Sequence, residues 1–188
     1  FLQAIGFKEP EQGTVDTERE FDLVLLGFHR VASSLLHDIA KNNPDLLPRI
    51  LVIDFNVHLH PAIRKLGVSV RYGDLSNDEI LVHAGVGKAK VVVSTIPDDI
   101  LRGTNNRELV EVVRRINKDA VVIANAEELS SAQEVYNSGA DYVYMGRINT
   151  ARTLEEIIVR TMDGALSDYR REQEELHGRH HERSEILK

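Results

Sequence analysis

The chain has 188 residues, 42% hydrophobic and 28% charged, with a formal net charge of −7 and no cysteine. That length suits one domain with tails, and the acidic balance argues against nucleic acid as a partner. The lack of cysteine excludes disulfides, thiolate metal sites and cysteine nucleophiles, and no apolar run reaches the roughly 20 residues that cross a bilayer.

Residues 1 to 20, with Lys8-Glu9-Pro10-Glu11-Gln12-Gly13, show no helix or strand period and read as a linker. A start at Phe1 instead of methionine suggests a segment of a longer protein. From residue 21 a regular alternation begins. Asp22-Leu23-Val24-Leu25-Leu26-Gly27 is a short apolar run ending in glycine, as a buried parallel strand does. Val31, Leu35, Leu36 and Ile39 then recur at helical spacing over residues 30–42, and Asn42-Asn43-Pro44 stops that helix. The second strand is Ile50-Leu51-Val52-Ile53-Asp54, followed by a short helix over 58–66 closed by Gly67. His58 and His60, at its start, are expected to face solvent.

Val68-Ser69-Val70-Arg71-Tyr72 is the third strand, and Ser76 or Asn77 is the expected cap of a helix over 76–84. Lys90-Val91-Val92-Val93-Ser94-Thr95 is the fourth strand, and residues 100–116 follow as an amphipathic helix. Ala120-Val121-Val122-Ile123-Ala124-Asn125 is the fifth strand, residues 128–138 a helix ending at Gly139, and Asp141-Tyr142-Val143-Tyr144 a sixth strand. Six strands separated by helices predict an α/β fold, a Rossmann-like doubly wound parallel sheet in the order 3-2-1-4-5-6, over residues 21–148. Residues 149–175 read as one long helix. Ala151, Leu154, Ile158, Met162, Ala165 and Tyr169 recur on it at steps of three and four, a narrow seam that needs a partner. That partner is the domain's own sheet for the first turns and another subunit beyond. Residues 176–188 read as a flexible polar tail.

The loop after the first strand carries the chemistry. Gly27-Phe28-His29-Arg30-Val31-Ala32-Ser33 stands where a Rossmann domain places G-x-G-x-x-G. Gly27 allows the tight turn, and Ala32 is an accepted variant for close helix packing. His29 replaces the glycine that lets backbone approach a pyrophosphate. The helix start still offers the N–H groups of Arg30 and Val31 to an anion, and Arg30 adds a charged donor. Alternatively, Gly27 only makes the turn. Asp54 ends the second strand, where a carboxylate takes a ribose diol. It lies 27 residues past Gly27, against about 20 in the fingerprint, and the loop from Asn42 to Pro48 accounts for the excess. A helix cap is the other role open to it. Asp74 either reaches a base or caps the next helix. Thr95 lines the crevice or is an ordinary strand end.

Four stretches together resemble the RCK N-terminal domain, also called KTN or TrkA-N: Leu25-Leu26-Gly27-Phe28-His29-Arg30-Val31, Val52-Ile53-Asp54, Tyr72-Gly73-Asp74-Leu75-Ser76 and Ala89 to Ile96. Asn105-Asn106 and the long terminal helix are similar as well, and the resemblance covers about residues 21 to 170. It implies a cytoplasmic, non-catalytic module of a potassium channel or cation/proton antiporter that binds AMP, ADP, ATP or NAD(H) and gates transport, with no metal expected. It implies a nucleotide set of Gly27, Phe28, His29, Arg30, Val31, Asp54, Phe55, Asp74, Leu75 and Thr95. Gly27, His29, Arg30 and Val31 form the phosphate loop in that set, Asp54 holds the ribose, and Asp74, Leu75 and Thr95 lie near the base. It implies a homodimer through the C-terminal helix and a membrane transport domain upstream in the same chain. His29 tilts the ligand from a dinucleotide towards AMP. The alternatives are a structural dimerisation module with a vestigial site, and an NAD(P)-dependent oxidoreductase, for which a substrate domain and the middle glycine are missing. His177, His180 and His181 have metal-compatible spacing only if helical, which Gly178 opposes. Asp98-Asp99 fits a loop or cap better than an acid/base pair.

Overall fold

A computed structural model describes residues 20–179 and 182–187. Residues 1–19 of the linker expected over residues 1 to 20, and His180 and His181, lie outside them. The six strands are β1 (Leu23–Leu26), β2 (Ile50–Ile53), β3 (Ser69–Arg71), β4 (Val91–Ser94), β5 (Val121–Asn125) and β6 (Tyr142–Tyr144). They form one sheet in the order β3-β2-β1-β4-β5-β6, parallel throughout. The register places Leu23 beside both Ile50 and Val91. The run Ile50-Leu51-Val52-Ile53 is buried on both faces, so it is apolar throughout instead of alternating.

The pleat sends alternate side chains to two cores. On one face Leu25, Ile50 and Val52 meet Leu36 and Ile39 of α1 (Arg30–Asn42) and Ile63 of α2 (His60–Lys65). On the other, Val24, Leu26, Leu51, Ile53, Val92 and Val122 meet three helices. These are α3 (Asp78–His83), α4 (Asn106–Ile116) and α5 (Leu129–Asn137), which contribute Leu81, Leu109 with Val113, and Val135. This two-sided layering is the doubly wound Rossmann-like arrangement, and it brings every strand's carboxyl end to one edge.

Three expectations need correction. The helix expected over 100–116 begins only at Asn106, because Asn105 caps it by accepting the Glu108 N–H at 2.9 Å. Residues 97–105 are an irregular loop in which Gly103 is left-handed (φ +69°). The single helix expected over 149–175 is two helices, α6 (Gly146–Met162) and α7 (Leu166–His177). Gly164 separates them with φ +74°, a conformation an α-helix cannot contain. The chain reverses there: Arg160 meets the Tyr169 ring at 5.8 Å and Glu172 at 3.8 Å. In an unbroken helix residues 160 and 172 would stand about 18 Å apart. No residue of α6 is buried, and of its hydrophobic residues Ile148 in the first turn packs against the sheet's core. Finally, the tail is not free throughout: Leu176 and His177 end α7, and Ile186 and Leu187 pack against the α1 core.

Candidate functional site

β1 ends at the turn that sets up the carboxyl edge. Gly27 adopts φ +80°, and its N–H donates to the Ile53 carbonyl at 2.8 Å. A methyl group on Gly27 would overlap the Ile96 side chain, so this glycine is required by conformation and by space. Phe28 is buried, and its N–H donates to Asp54 Oδ2 at 2.7 Å. His29 is the N-cap residue of α1 with extended backbone, and its ring makes no capping bond. Arg30 and Val31 are the first two residues of the helix, and both are exposed. Their N–H groups belong to the unpaired first turn of α1, where its dipole favours an anion.

Asp54 is the hub of the edge. It is 2% exposed, and its second oxygen accepts the Asn56 N–H at 2.8 Å. Its carbonyl meets His60 Nε2 at 3.1 Å and accepts the Gly73 N–H at 3.4 Å. One residue therefore ties the β1 loop, the exit of β2 and the exit of β3 together. Asp54 is not the cap of α2, whose N-cap residue is Leu59. His60, expected to face solvent, is buried because it braces Asp54, whereas His58 is exposed. The sequence gives little sign of this bracing, because it links side chain to backbone across a turn.

Asp54, Phe55, Asp74 and Leu75 line one crevice with Ile96, Ile100, Leu101 and Arg102, which encloses about 60 Å³. Phe55 stands exposed at its rim. Asp74 is exposed, and its Oδ1 accepts the Ser76 N–H at 2.9 Å and the Ser76 hydroxyl at 2.8 Å. The backbone bond, then the hydroxyl bond, holds its carboxyl below the usual carboxylate range. Asn77, not Ser76, caps α3 by accepting the Glu79 N–H at 3.0 Å. Thr95 stands apart from the crevice: it is fully buried, and its hydroxyl donates to the Gly27 carbonyl at 2.9 Å, bracing the turn from behind.

The 97–105 loop supplies Ile100, Leu101 and Arg102 to the crevice, from a stretch expected to be partly helical. Asp98 Oδ1 accepts both the backbone and the side-chain N–H of Asn106, each at 2.7 Å. Asn106 also donates to the Ile96 carbonyl at 3.0 Å. Pro97 and Gly103, both breakers, were the available signals that this stretch is not helical. Unmet hydrogen-bonding capacity gathers at the same edge. Among the described residues the buried side-chain atoms without a partner are Ser94 Oγ at the end of β4, Asn125 Oδ1 at the end of β5 and Asn106 Oδ1. Tyr144, whose hydroxyl donates to the Ser94 carbonyl at 3.2 Å, has its phenol pushed up to about 12, chiefly by burial. A shallower groove of about 210 Å³ between α4 and α5 contains none of the expected site residues, and its Arg107 is paired with Glu111 at 2.7 Å.

Comparison with known proteins gives a consistent picture. The family model described as the TrkA-N domain matches residues 23–146. YbaL of Escherichia coli strain K12, a protein named for cation/proton antiport, is 30% identical over 135 residues, covering 72% of this chain and 23% of its own. The glutathione-regulated potassium-efflux system protein KefC of Cronobacter sakazakii is 28% identical over 178 residues, covering 93% of this chain and 25% of its own. The chain thus spans about a quarter of the length of these two relatives. The crystal structure of the TrkA-N domain of E. coli inner membrane protein YbaL superposes with a TM-score of 0.64 at 28% identity, over 74% of this chain and 98% of that one. The GsuK channel bound to NAD shares the fold, with a TM-score of 0.54 at 18% identity over 67% of this chain and 21% of that one.

Proposed function

The chain belongs to the TrkA-N domain family, and from that premise we propose that it is the nucleotide-sensing regulatory domain of a membrane cation transporter, with AMP as the favoured ligand. The observation that carries this reading is the clasp between Asp54 and the Phe28 N–H. It fixes the β1 turn directly before the first N–H groups of α1 and the exposed Arg30. An anion there meets free N–H donors, the helix dipole and one guanidinium.

The rest of the ligand lies over Asp54, Phe55, Asp74 and Leu75. A ribose diol donates to the remaining lone pairs of Asp54, and the Phe55 ring covers the base. His29 blocks a second phosphate from crossing the turn, which favours a mononucleotide. Small-molecule sites usually enclose about 300–1,000 Å³, so entry moves Ile100 and Arg102 away from the 60 Å³ crevice. That displacement is the signal. It biases transport only if the ligand prefers one of two arrangements of the assembly. The two arrangements belong to a homodimer built on α6, with the transport domain upstream in the same chain and this domain on the cytoplasmic side. YbaL and KefC, named for cation/proton antiport and potassium efflux, support this placement.

A second reading has a specific observation behind it. Both oxygens of Asp54 already accept backbone N–H groups, and the crevice is small. Those features suit a dimerisation module with a vestigial site. Isothermal titration with AMP, ADP, ATP and NADH separates the two readings. We expect saturable one-to-one binding, tightest for AMP and about tenfold weaker in Arg30→Ala, the equivalent of about 1.4 kcal/mol. Absence of heat and of thermal shift with all four ligands establishes the vestigial site.

A further inference from the structure

The contacts of Arg183 to Leu187 turn an expected free tail into a fitted element. The Arg183 guanidinium meets Asp38 of α1 at 2.8 Å and Glu185 at 2.6 Å, and donates to the Ser34 carbonyl at 3.4 Å. The Ser34 hydroxyl donates to the other Glu185 oxygen at 2.8 Å. The Leu187 N–H donates to the Ser33 hydroxyl oxygen at 2.8 Å. Ile186 and Leu187 rest on the cluster that contains Leu25, Phe28, Ala32 and Leu36.

Two features separate this from casual surface contact. Among the described ion pairs, Arg183–Glu185 alone has both side chains less than a fifth exposed (19% and 18%). Isolated exposed pairs contribute little, but here each charge has a second partner: Asp38 for the guanidinium and Ser34 for the carboxylate. Moreover, Ser33 is 2% exposed inside a helix, where serine is a mediocre former. Its oxygen accepts the tail's Leu187 N–H.

We propose that the flank of α1 formed by Ser33, Ser34 and Asp38 is a docking surface for the chain's own segment Arg183–Leu187, which acts as a latch on that helix. The peptide supplies one guanidinium, one carboxylate and two aliphatic side chains, and the flank supplies a carboxylate, two hydroxyls and an apolar floor. The latch grips α1 one turn behind Arg30, on the cluster that also seats Phe28. Tail docking therefore stiffens the helix that carries the proposed anion site. Docking itself does not depend on any nucleotide.

The chain has no cysteine of its own, so Ser184→Cys, at an exposed position within the segment, gives a single point for a nitroxide spin label. The ligand-free labelled full chain is expected to show broadened amide signals for Ser34 to Asp38. Adding Glu185→Lys, which sets two cations side by side, is expected to abolish that broadening. In unlabelled chains Glu185→Lys is expected to speed hydrogen exchange in α1 at least tenfold, while Ser184→Ala leaves it unchanged. Absence of broadening in the labelled parent, broadening that survives Glu185→Lys, or unchanged exchange overturns the proposal. No arm contains nucleotide, so failure here leaves the proposed ligand site untouched, and failure of nucleotide binding leaves the latch untouched.

Discussion

Gly27 and Gly164 have nearly the same backbone conformation, φ +80° and +74°, yet their surroundings are opposite. Gly27 sits in a closed environment. Its carbonyl takes the Thr95 hydroxyl, its neighbour's N–H goes to Asp54, and Ile96 fills the space a side chain would need. Gly164 has nothing within 4 Å of the position its Cβ would occupy, and the helix before it buries no residue. The first region ties its turn into the domain and leaves the first N–H groups of α1 unpaired. The second leaves Leu154, Ile158, Val159 and Met162 more than half exposed. A site for a small ligand needs the first kind of construction, and a surface awaiting a macromolecular partner shows the second.

Substitutions sharpen the contrast. Gly27→Ala combines a left-handed backbone cost of about 1–2 kcal/mol with overpacking against Ile96 of about 1–3 kcal/mol. Urea unfolding is expected to show a loss of about 3 kcal/mol. Asp54→Ala strands the buried Phe28 N–H and the Asn56 N–H, and a loss of about 2 kcal/mol is expected by the same method. Gly164→Ala meets open space and is expected to cost only about 1 kcal/mol. Equal losses at Gly27 and Gly164 would break the comparison. Ile158→Glu, at a residue 60% exposed, is expected to change domain stability by less than about 0.5 kcal/mol. In sedimentation, the same substitution is expected to shift a dimer to monomer.

A separate effect is one of pH. Tyr144 is held protonated by burial, with its phenol near 12 against an ordinary value of 10.0. A raised folded value means that stability is whole below about pH 10 and falls as pH rises towards 12, because the unfolded chain releases its proton first. Absorbance titration of the phenolates is expected to show a late component that disappears in Tyr144→Phe.

The sheet was legible because each central strand is a short Val/Ile/Leu run bounded by turn residues, and the strand order followed from the alternation with helices. The irregular loop was not. Leu109, Val113 and Ile116 recur at helical steps, and that period carries no mark of the point at which the helix begins. Gly164 was passed over for the same reason, since the seam from Ala151 to Tyr169 keeps its period across the glycine. Asp54 was legible as a strand-end carboxylate, but its hold on Phe28, 26 residues earlier, is visible only in three dimensions. Thr95 was identified as an edge residue, yet strand position alone does not show that its hydroxyl turns back to Gly27. The tail was read from composition, which registers its charges but not that Arg183, Glu185 and Leu187 each have a partner on α1.

In the proposed function the closed region, not the open one, receives a nucleotide. An amide NMR titration of the domain with AMP tests it most directly. Saturating shifts are expected at Phe28 to Val31, Phe55 and Leu75, with the amides of α6 unmoved. Saturating AMP that leaves the Phe28 to Val31 amides in place would contradict it.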